Sequence, residues 1–248
     1  MFELGAYEYF EDENLALLRH GPSGGRVLDV GCGSGLLGER LREQGNTVWG
    51  IDAADDIAQL ATRRLDRFIM ADICDGARIR ELLGDERFDA IVFADVLEHL
   101  PDPVGTLRGY LGFLAPGGTV LVSVPNIAVW NVRAGLLLGR FQYTATGTLD
   151  RTHLRFFTRA NLYRALAEAG LRVEEIDVNP GIARAFVGRA KQAIARDSGG
   201  DRRALLDSRA YRAYRGFIHP LEYRAARLMP GLLAFQYVVV ARAAEGRQ

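Results

Sequence analysis

Gly31, Gly33 and Gly35 recur at every second position in VLDVGCGSGLLG (27–38), between a short apolar run and a segment with helical spacing. Glycine lets the chain turn tightly and lets a ligand approach the backbone, and a helix N-terminus just beyond offers unpaired amides. This is a nucleotide-type loop, and its spacing is open to two readings. Gly33-Ser34-Gly35-Leu36-Leu37-Gly38 fits the dinucleotide pattern G-x-G-x-x-G, with Asp52 standing where an acidic ribose ligand belongs. Against that, the apolar run ends before Gly31, and Asp29 places an acid where a pyrophosphate would be repelled. An acid beside the glycines suits a ligand carrying an ammonium or sulfonium group. Asp52 and Asp72 end two further apolar runs, and their carboxylates can accept hydrogen bonds from ribose hydroxyls and an exocyclic amine. Each also precedes a possible helix, so N-capping is the competing role. Cys32, Ala53 and Ile73 beside them would form apolar walls, with Cys32 a packing residue rather than a reactive thiol.

The elements that must position these residues alternate along the chain. Runs at 26–30, 47–52, 67–72, 88–95 and 117–126 read as buried strands, and helix-like segments lie at 36–45, 56–65, 77–83, 104–113 and 159–170. Continuous apolar strands alternating with helices predict a parallel sheet covered on both faces. Two more strands are expected at 171–178 and 235–243. The stretch 127–158 is rich in aromatics and glycine, and 179–234 is helical and arginine-rich; segments this long are read as substrate-side insertions on a single domain, 1–248.

The composition sets limits. With 248 residues, 48% of them hydrophobic, the chain can bury a sizeable core without a staple. Thirty-one basic residues balance thirty-one acidic ones, which argues against a protein whose whole body binds nucleic acid. Cys32 and Cys74 make no disulfide framework and fit a reducing cytoplasm, the N-terminus has acids where a secretory signal would be basic and apolar, and no apolar stretch is long enough for a transmembrane segment. No carboxylate or histidine cluster at ligand spacing is apparent near the glycine loop, so no metal is expected.

On the glycine loop, Asp52, MADICD (70–75), FDAIVFADVLEHLPDP (88–103) and LAPGGTVLVSVPN (114–126), the sequence resembles the class I S-adenosylmethionine-dependent methyltransferases. The resemblance covers roughly 26–126, 159–178 and 235–243. It implies an α/β Rossmann-like seven-stranded sheet with the last strand antiparallel, flanked by helices and capped by the insertions. It implies S-adenosylmethionine as methyl donor, with S-adenosylhomocysteine as product, and a cofactor site of Asp29, Gly31, Cys32, Gly33, Gly35, Asp52, Ala53, Asp72, Ile73 and Asp95. In it Asp29 would orient the glycine loop and could also orient the cofactor's amino group, Asp52 would hold the ribose and Asp72 the adenine amine. DRTHLRFFT (150–158) and YEYFEDENLALL (7–18) resemble a subgroup acting on small molecules and glycans.

Methyl transfer needs in-line positioning and exclusion of water, and a hydroxyl acceptor also needs a base. His153, with Asp150 beside it, lies in the loop after the fifth strand and is the leading base; pinning that loop is its competing role. His99 reads equally as catalytic or as a structural contact near the cofactor's methionine end, and His20 and His219 read as surface or packing residues. Tyr7, Tyr9 and Phe10 belong to a helical lid over 1–25 or to a docking helix. Residues 184–228 hold eleven basic and four acidic residues, about +7. That stretch suits an anionic acceptor or a membrane surface, or else forms a solvated helical cap or the contact of a homodimer. The expected reaction is methylation of a hydroxyl on a small molecule or sugar. An N-methyltransferase, a non-catalytic binding module and an NAD-dependent dehydrogenase are the alternatives, and nucleic acid is not expected as a partner.

Overall fold

Five of the apolar runs become neighbouring parallel strands, β1 (Arg26–Val30), β2 (Thr47–Asp52), β3 (Arg67–Met70), β4 (Phe88–Ala94) and β5 (Leu114–Pro125). The computed structural model describes residues 14–181 and 214–244. β6 (Leu171–Pro180) and β7 (Ala234–Ala243) complete a seven-stranded sheet in the order β3-β2-β1-β4-β5-β7-β6. β7 is antiparallel to both β5 and β6, so the last strand alone is reversed, as the resemblance implies. The helices are α1 (Leu15–His20), α2 (Leu36–Glu43), α3 (Ala58–Arg64), α4 (Gly76–Leu83), α5 (Pro103–Tyr110), α6 (Trp130–Leu137), α7 (Arg159–Ala169), α8 (His219–Leu228) and α9 (Pro230–Leu233).

Alternate residues of each strand feed two apolar layers. Leu28, Val30, Ile91 and Phe93 pack with Ile79 of α4, Leu107 of α5 and Leu162 of α7. Val27, Val48, Ala90 and Val92 pack on the other face with Leu17 of α1, Leu41 of α2 and Ala61 of α3. Burying each such side chain contributes about 1.5–3 kcal/mol, which explains a core without a disulfide; both cysteines are free. The strand order reverses direction between β1 and β4, and in open α/β sheets the crevice at such a switch point is where ligands bind.

Two sequence expectations change. α1 is not lid-like: Ala16 and Leu17 are fully buried, and Asn14 caps it by accepting from Leu17 N at 3.1 Å. Tyr7, Tyr9 and Phe10 lie outside the described residues. The 127–158 insertion holds a helix, α6, whose signal was hidden because only Val132 of it is buried and its apolar residues follow no helical period. Asn126, fully buried, staples this insertion to β7: its backbone N–H donates to Phe235 O (2.8 Å) and its side-chain amide to Ala234 O (2.8 Å). Ile127 N–H donates to Phe157 O, closing the loop at its base. Most of the basic stretch 184–228 lies outside the described residues; its last part forms a π-turn at Tyr214–Ile218 and then α8.

Candidate active site

The crevice begins where β1 ends. Gly31, Gly33 and Gly35 have φ of 72°, 53° and 79°, a region that side-chain-bearing residues rarely adopt, which explains glycine at all three positions. Gly31 also needs the space: a Cβ there would stand 2.6 Å from Val96 Cγ2. The loop is held by β2. Gly31 N–H and Cys32 N–H donate to Ile51 O at 2.8 and 3.1 Å, and Gly33 N–H donates to Asp52 Oδ2 at 2.8 Å. Asp52 Oδ1 accepts from Ala54 N–H at 2.9 Å. A carboxylate has about four acceptor positions, so room for ribose hydroxyls remains. Asp52 is not the cap of α3, which is Ile57, and Asp75 rather than Asp72 caps α4. Asp72 is exposed at the end of the β3 segment, its Oδ1 accepting from Cys74 N–H at 2.8 Å in an Asx turn. Ala53 and Ile73 follow these two acids directly. A cleft of about 220 Å³ between α4 and α5 is lined by Ile73, Cys74, Thr106 and Tyr110, but by neither the glycine loop nor His153, so it lies to one side of the crevice.

Asp29 behaves differently from the expectation that it orients the loop. It is buried, and neither carboxyl oxygen has a hydrogen-bond partner. Burial first, and then the Asp52 charge, push its pKa to about 7. Asp52 does the loop-holding instead. Cys32 is buried, with its thiol pushed far up by burial and by Asp29 and Asp52, and it packs as a small apolar group. This donor and acceptor set fits an adenosyl cofactor with a cationic amino acid end. Acids stand at the ends of β2 and β3, the glycine backbone is open to close approach, and an uncompensated buried carboxyl lies beneath the loop.

Beyond β4, Asp95 is the one non-glycine among the described residues with positive φ, at 55°. Gln236 Nε2 donates to both of its carboxylate oxygens at 2.5 Å, and its N–H donates to Ser123 O at 3.0 Å. The network continues. Asn179 donates to Gln236 Oε1 and, at 2.8 Å, to Asn14 Oδ1, while Asn14 Nδ2 donates to Ser123 Oγ at 3.0 Å. Four elements thereby fix one carboxylate at the crevice. Asn14, Ser123, Asn179 and Gln236 escaped the sequence reading, since lone amides and hydroxyls at such separations carry no periodic signal.

The turn after Asp95 meets the loop that carries His153. Leu154 N–H and Arg155 N–H donate to Glu98 O at 2.8 and 2.9 Å. The rings of His99 and His153 meet edge to face, centroids 4.8 Å apart. His153 is partly buried; burial and then His99 lower its pKa, against an upward pull from Asp150. The Asp150 carboxylate accepts from Thr152 N–H and Oγ1, both at 2.8 Å, so it shapes the turn before His153. Glu98 is buried with both carboxyl oxygens unpartnered, and burial, followed by Asp95, pushes its pKa well up. One ligand atom each from Glu98, His99 and His153 lies within 4.8 Å of the others. The expectation that no carboxylate and histidine cluster stands near the site therefore fails; residues 54 apart in sequence make one. His20 and His219 are elsewhere, one against Asp177 at 3.2 Å and the other stacked on Tyr223.

Comparison with known proteins agrees with this geometry. A family model described as a methyltransferase domain matches residues 4–176. A ubiquinone biosynthesis O-methyltransferase of Xylella fastidiosa (strain 9a5c) is 34% identical over 157 residues, 62% of this chain and 63% of that one. The chain thus matches less than two thirds of that relative's length. Among solved structures, an S-adenosylmethionine-dependent methyltransferase from Mesorhizobium loti is similar with a TM-score of 0.54, 18% identity, and coverage of 92% of this chain and 96% of that one. The [4+2]-cyclase SpnF is similar with a TM-score of 0.57, 21% identity, and coverage of 93% and 80%. Likeness at such identities establishes the fold and not the reaction. On the family match, the sheet topology and the glycine loop together, the chain belongs to the methyltransferase-domain family and has the fold of the class I S-adenosylmethionine-dependent methyltransferases.

Proposed function

We propose that the protein methylates a hydroxyl group of a small molecule, with S-adenosylmethionine as donor and His153 as the base. The observation that carries this reading is the meeting of the His153 and His99 rings, with burial shifting His153 toward its neutral form. The cofactor, when bound, supplies an activated methyl group on a sulfonium. Asp52 accepts from its ribose hydroxyls and Asp72 from its adenine amine. Ala53 and Ile73 wall the base, and Gly31, Gly33 and Gly35 leave the backbone open beside the methionine end. The ionised Asp29 offsets positive charge beneath the loop. A neutral His153 nitrogen would accept the acceptor's O–H proton, so that the oxygen could receive the methyl group the bound cofactor would supply. Asp150 and the Glu98 carbonyl keep the His153 loop in place.

The name of the Xylella relative supports a small-molecule hydroxyl and lends nothing to a sugar. The orphaned Glu98 carboxyl favours a second reading of the same centre, in which a divalent cation held by Glu98, His99 and His153 acidifies the acceptor hydroxyl. The test is methyl transfer to catechols, phenols and the matching amines, with wild type and His153→Ala, each with and without a chelator. Loss of about 10²–10⁴ in kcat with His153→Ala, and no effect of chelator on wild type, supports the base. Chelator sensitivity restored by added cation supports the metal reading. Unchanged turnover of His153→Ala on an amine would sink both and leave N-methylation.

A further inference from the structure

The insertion after β5 ends in an apolar tip that the fold does not cover. Leu137 is 88% exposed and Leu138 70%, with Leu136, Phe141, Tyr143 and Leu154 also exposed. The tip is built: Gly139 turns the chain with φ 66°, and Arg140 N–H donates back to Gly135 O at 2.8 Å, so the leucines project at the end of α6. Three consecutive leucines cannot share one helix face, and nothing in the described residues packs on Leu137. Arg133 Nη2 donates to Gly231 O at 3.1 Å, joining α6 to α9, directly after Leu228, 84% exposed, and the exposed Met229. Exposed apolar side chains thus stand on or beside both of these joined elements.

The exposed charges of residues 127–159 have one sign. From 127 to 159 the basic residues are Arg133, Arg140, Arg151, Arg155 and Arg159, all exposed, and none forms an ion pair among the described residues. The only acid in that stretch, Asp150, is buried. Three arginines elsewhere do have acidic partners: Arg26 with Glu86, Arg42 with Asp66 and Arg78 with Glu81. Projecting leucines flanked in the chain by the exposed Arg133 and Arg140, with no acid from 127 to 149, match an anionic lipid bilayer, where the apolar groups enter the acyl boundary and the cations meet headgroup phosphates. A second copy of this chain fits poorly, because a two-fold contact would set these arginines against their own copies. A nucleic acid would leave the leucines in water, since they present no stacking face.

We propose that this tip, Leu136–Leu138 with the flanking Arg133 and Arg140, docks the protein on anionic membrane surfaces. The patch is continuous with the site. Edge contacts run from Tyr143 to Phe141 at 5.3 Å, from Phe141 to Phe156 at 6.3 Å and from Phe156 to His153 at 6.2 Å between centroids. Docking therefore sets the entrance of the crevice at the lipid interface, and the inference stands whether or not the acceptor is a hydroxyl.

The test is co-sedimentation of the full chain with vesicles of mixed phosphatidylcholine and phosphatidylglycerol, and with phosphatidylcholine alone. Binding is expected to the anionic vesicles, about tenfold weaker for the Leu137→Ser/Leu138→Ser double variant. Arg140→Glu should weaken it by fivefold or more, at about fivefold per positive charge near such a surface. The leucine variant should keep wild-type melting and wild-type turnover on a water-soluble acceptor, which separates docking from folding and catalysis. No anionic-vesicle binding, equal binding by the leucine variant, or a dimer in sedimentation velocity that the leucine substitutions dissociate would each overturn the proposal.

Discussion

Asp29→Asn tests whether the buried carboxyl under the glycine loop is a cost that the cofactor relieves. Asp29 is buried with both oxygens unpartnered, and its pKa stands at about 7 against 3.8 for the ordinary group. The native chain thus holds a proton that the unfolded chain releases. Stability from this group is complete below the unfolded pKa and is lost as pH rises through the folded one, a total of about 4 kcal/mol at 1.36 kcal/mol per pH unit. Between about pH 5 and about pH 8 the loss is about 2–3 kcal/mol, a sizeable part of a typical domain's 5–15. Urea unfolding at several pH values should show wild type losing that much more than Asp29→Asn across this interval. Glu98, also raised, slopes the same way in both proteins and cancels in the difference. Saturating S-adenosylmethionine should flatten the wild-type slope by favouring the ionised carboxylate, and should bind the variant more weakly at about pH 8 than the wild type. Parallel pH profiles for the two proteins would refute the burial argument. A slope indifferent to cofactor would refute the placement of Asp29 beside its cationic end.

Other perturbations probe single contacts. Gly31→Ala forces a side chain into φ 72° and against Val96 Cγ2, and should cost about 1–3 kcal/mol in thermal or urea unfolding, with weaker cofactor binding by calorimetry. Gln236→Leu removes the two hydrogen bonds from Gln236 Nε2 to the Asp95 carboxylate and should cost about 1–3 kcal/mol. Because Asp95 holds a strained backbone at the crevice, that variant should also raise the KM for cofactor, whereas a purely structural Gln236 would leave the KM unchanged in the folded fraction.

Much of the fold was legible along the chain. The five parallel strands lie within a few residues of their expected ranges because a strand buried on both faces must be a continuous apolar run. The glycine loop and the acids at 52 and 72 were legible for a related reason: tight turns and strand-end carboxylates are local features with fixed spacing. α6 was not legible. Apart from Val132 and the partly buried Trp130, its apolar residues face solvent rather than the core, so they break the periodicity by which buried helices are recognised.

The sheet, the glycine loop and the strand-end positions of Asp52 and Asp72 could be read along the chain, since these follow from backbone preferences and short-range pattern. Only the tertiary structure decided that Glu98 and His99 meet His153, that Asn14 and Gln236 anchor Asp95 from opposite ends of the chain, and that Asp52 rather than Asp29 holds the loop. The physical reason is that a hydrogen-bond partner or a buried orphan is defined by which strands become neighbours. Inserting β7 between β5 and β6 brings residues more than a hundred positions apart to hydrogen-bond distance, and no local pattern records that.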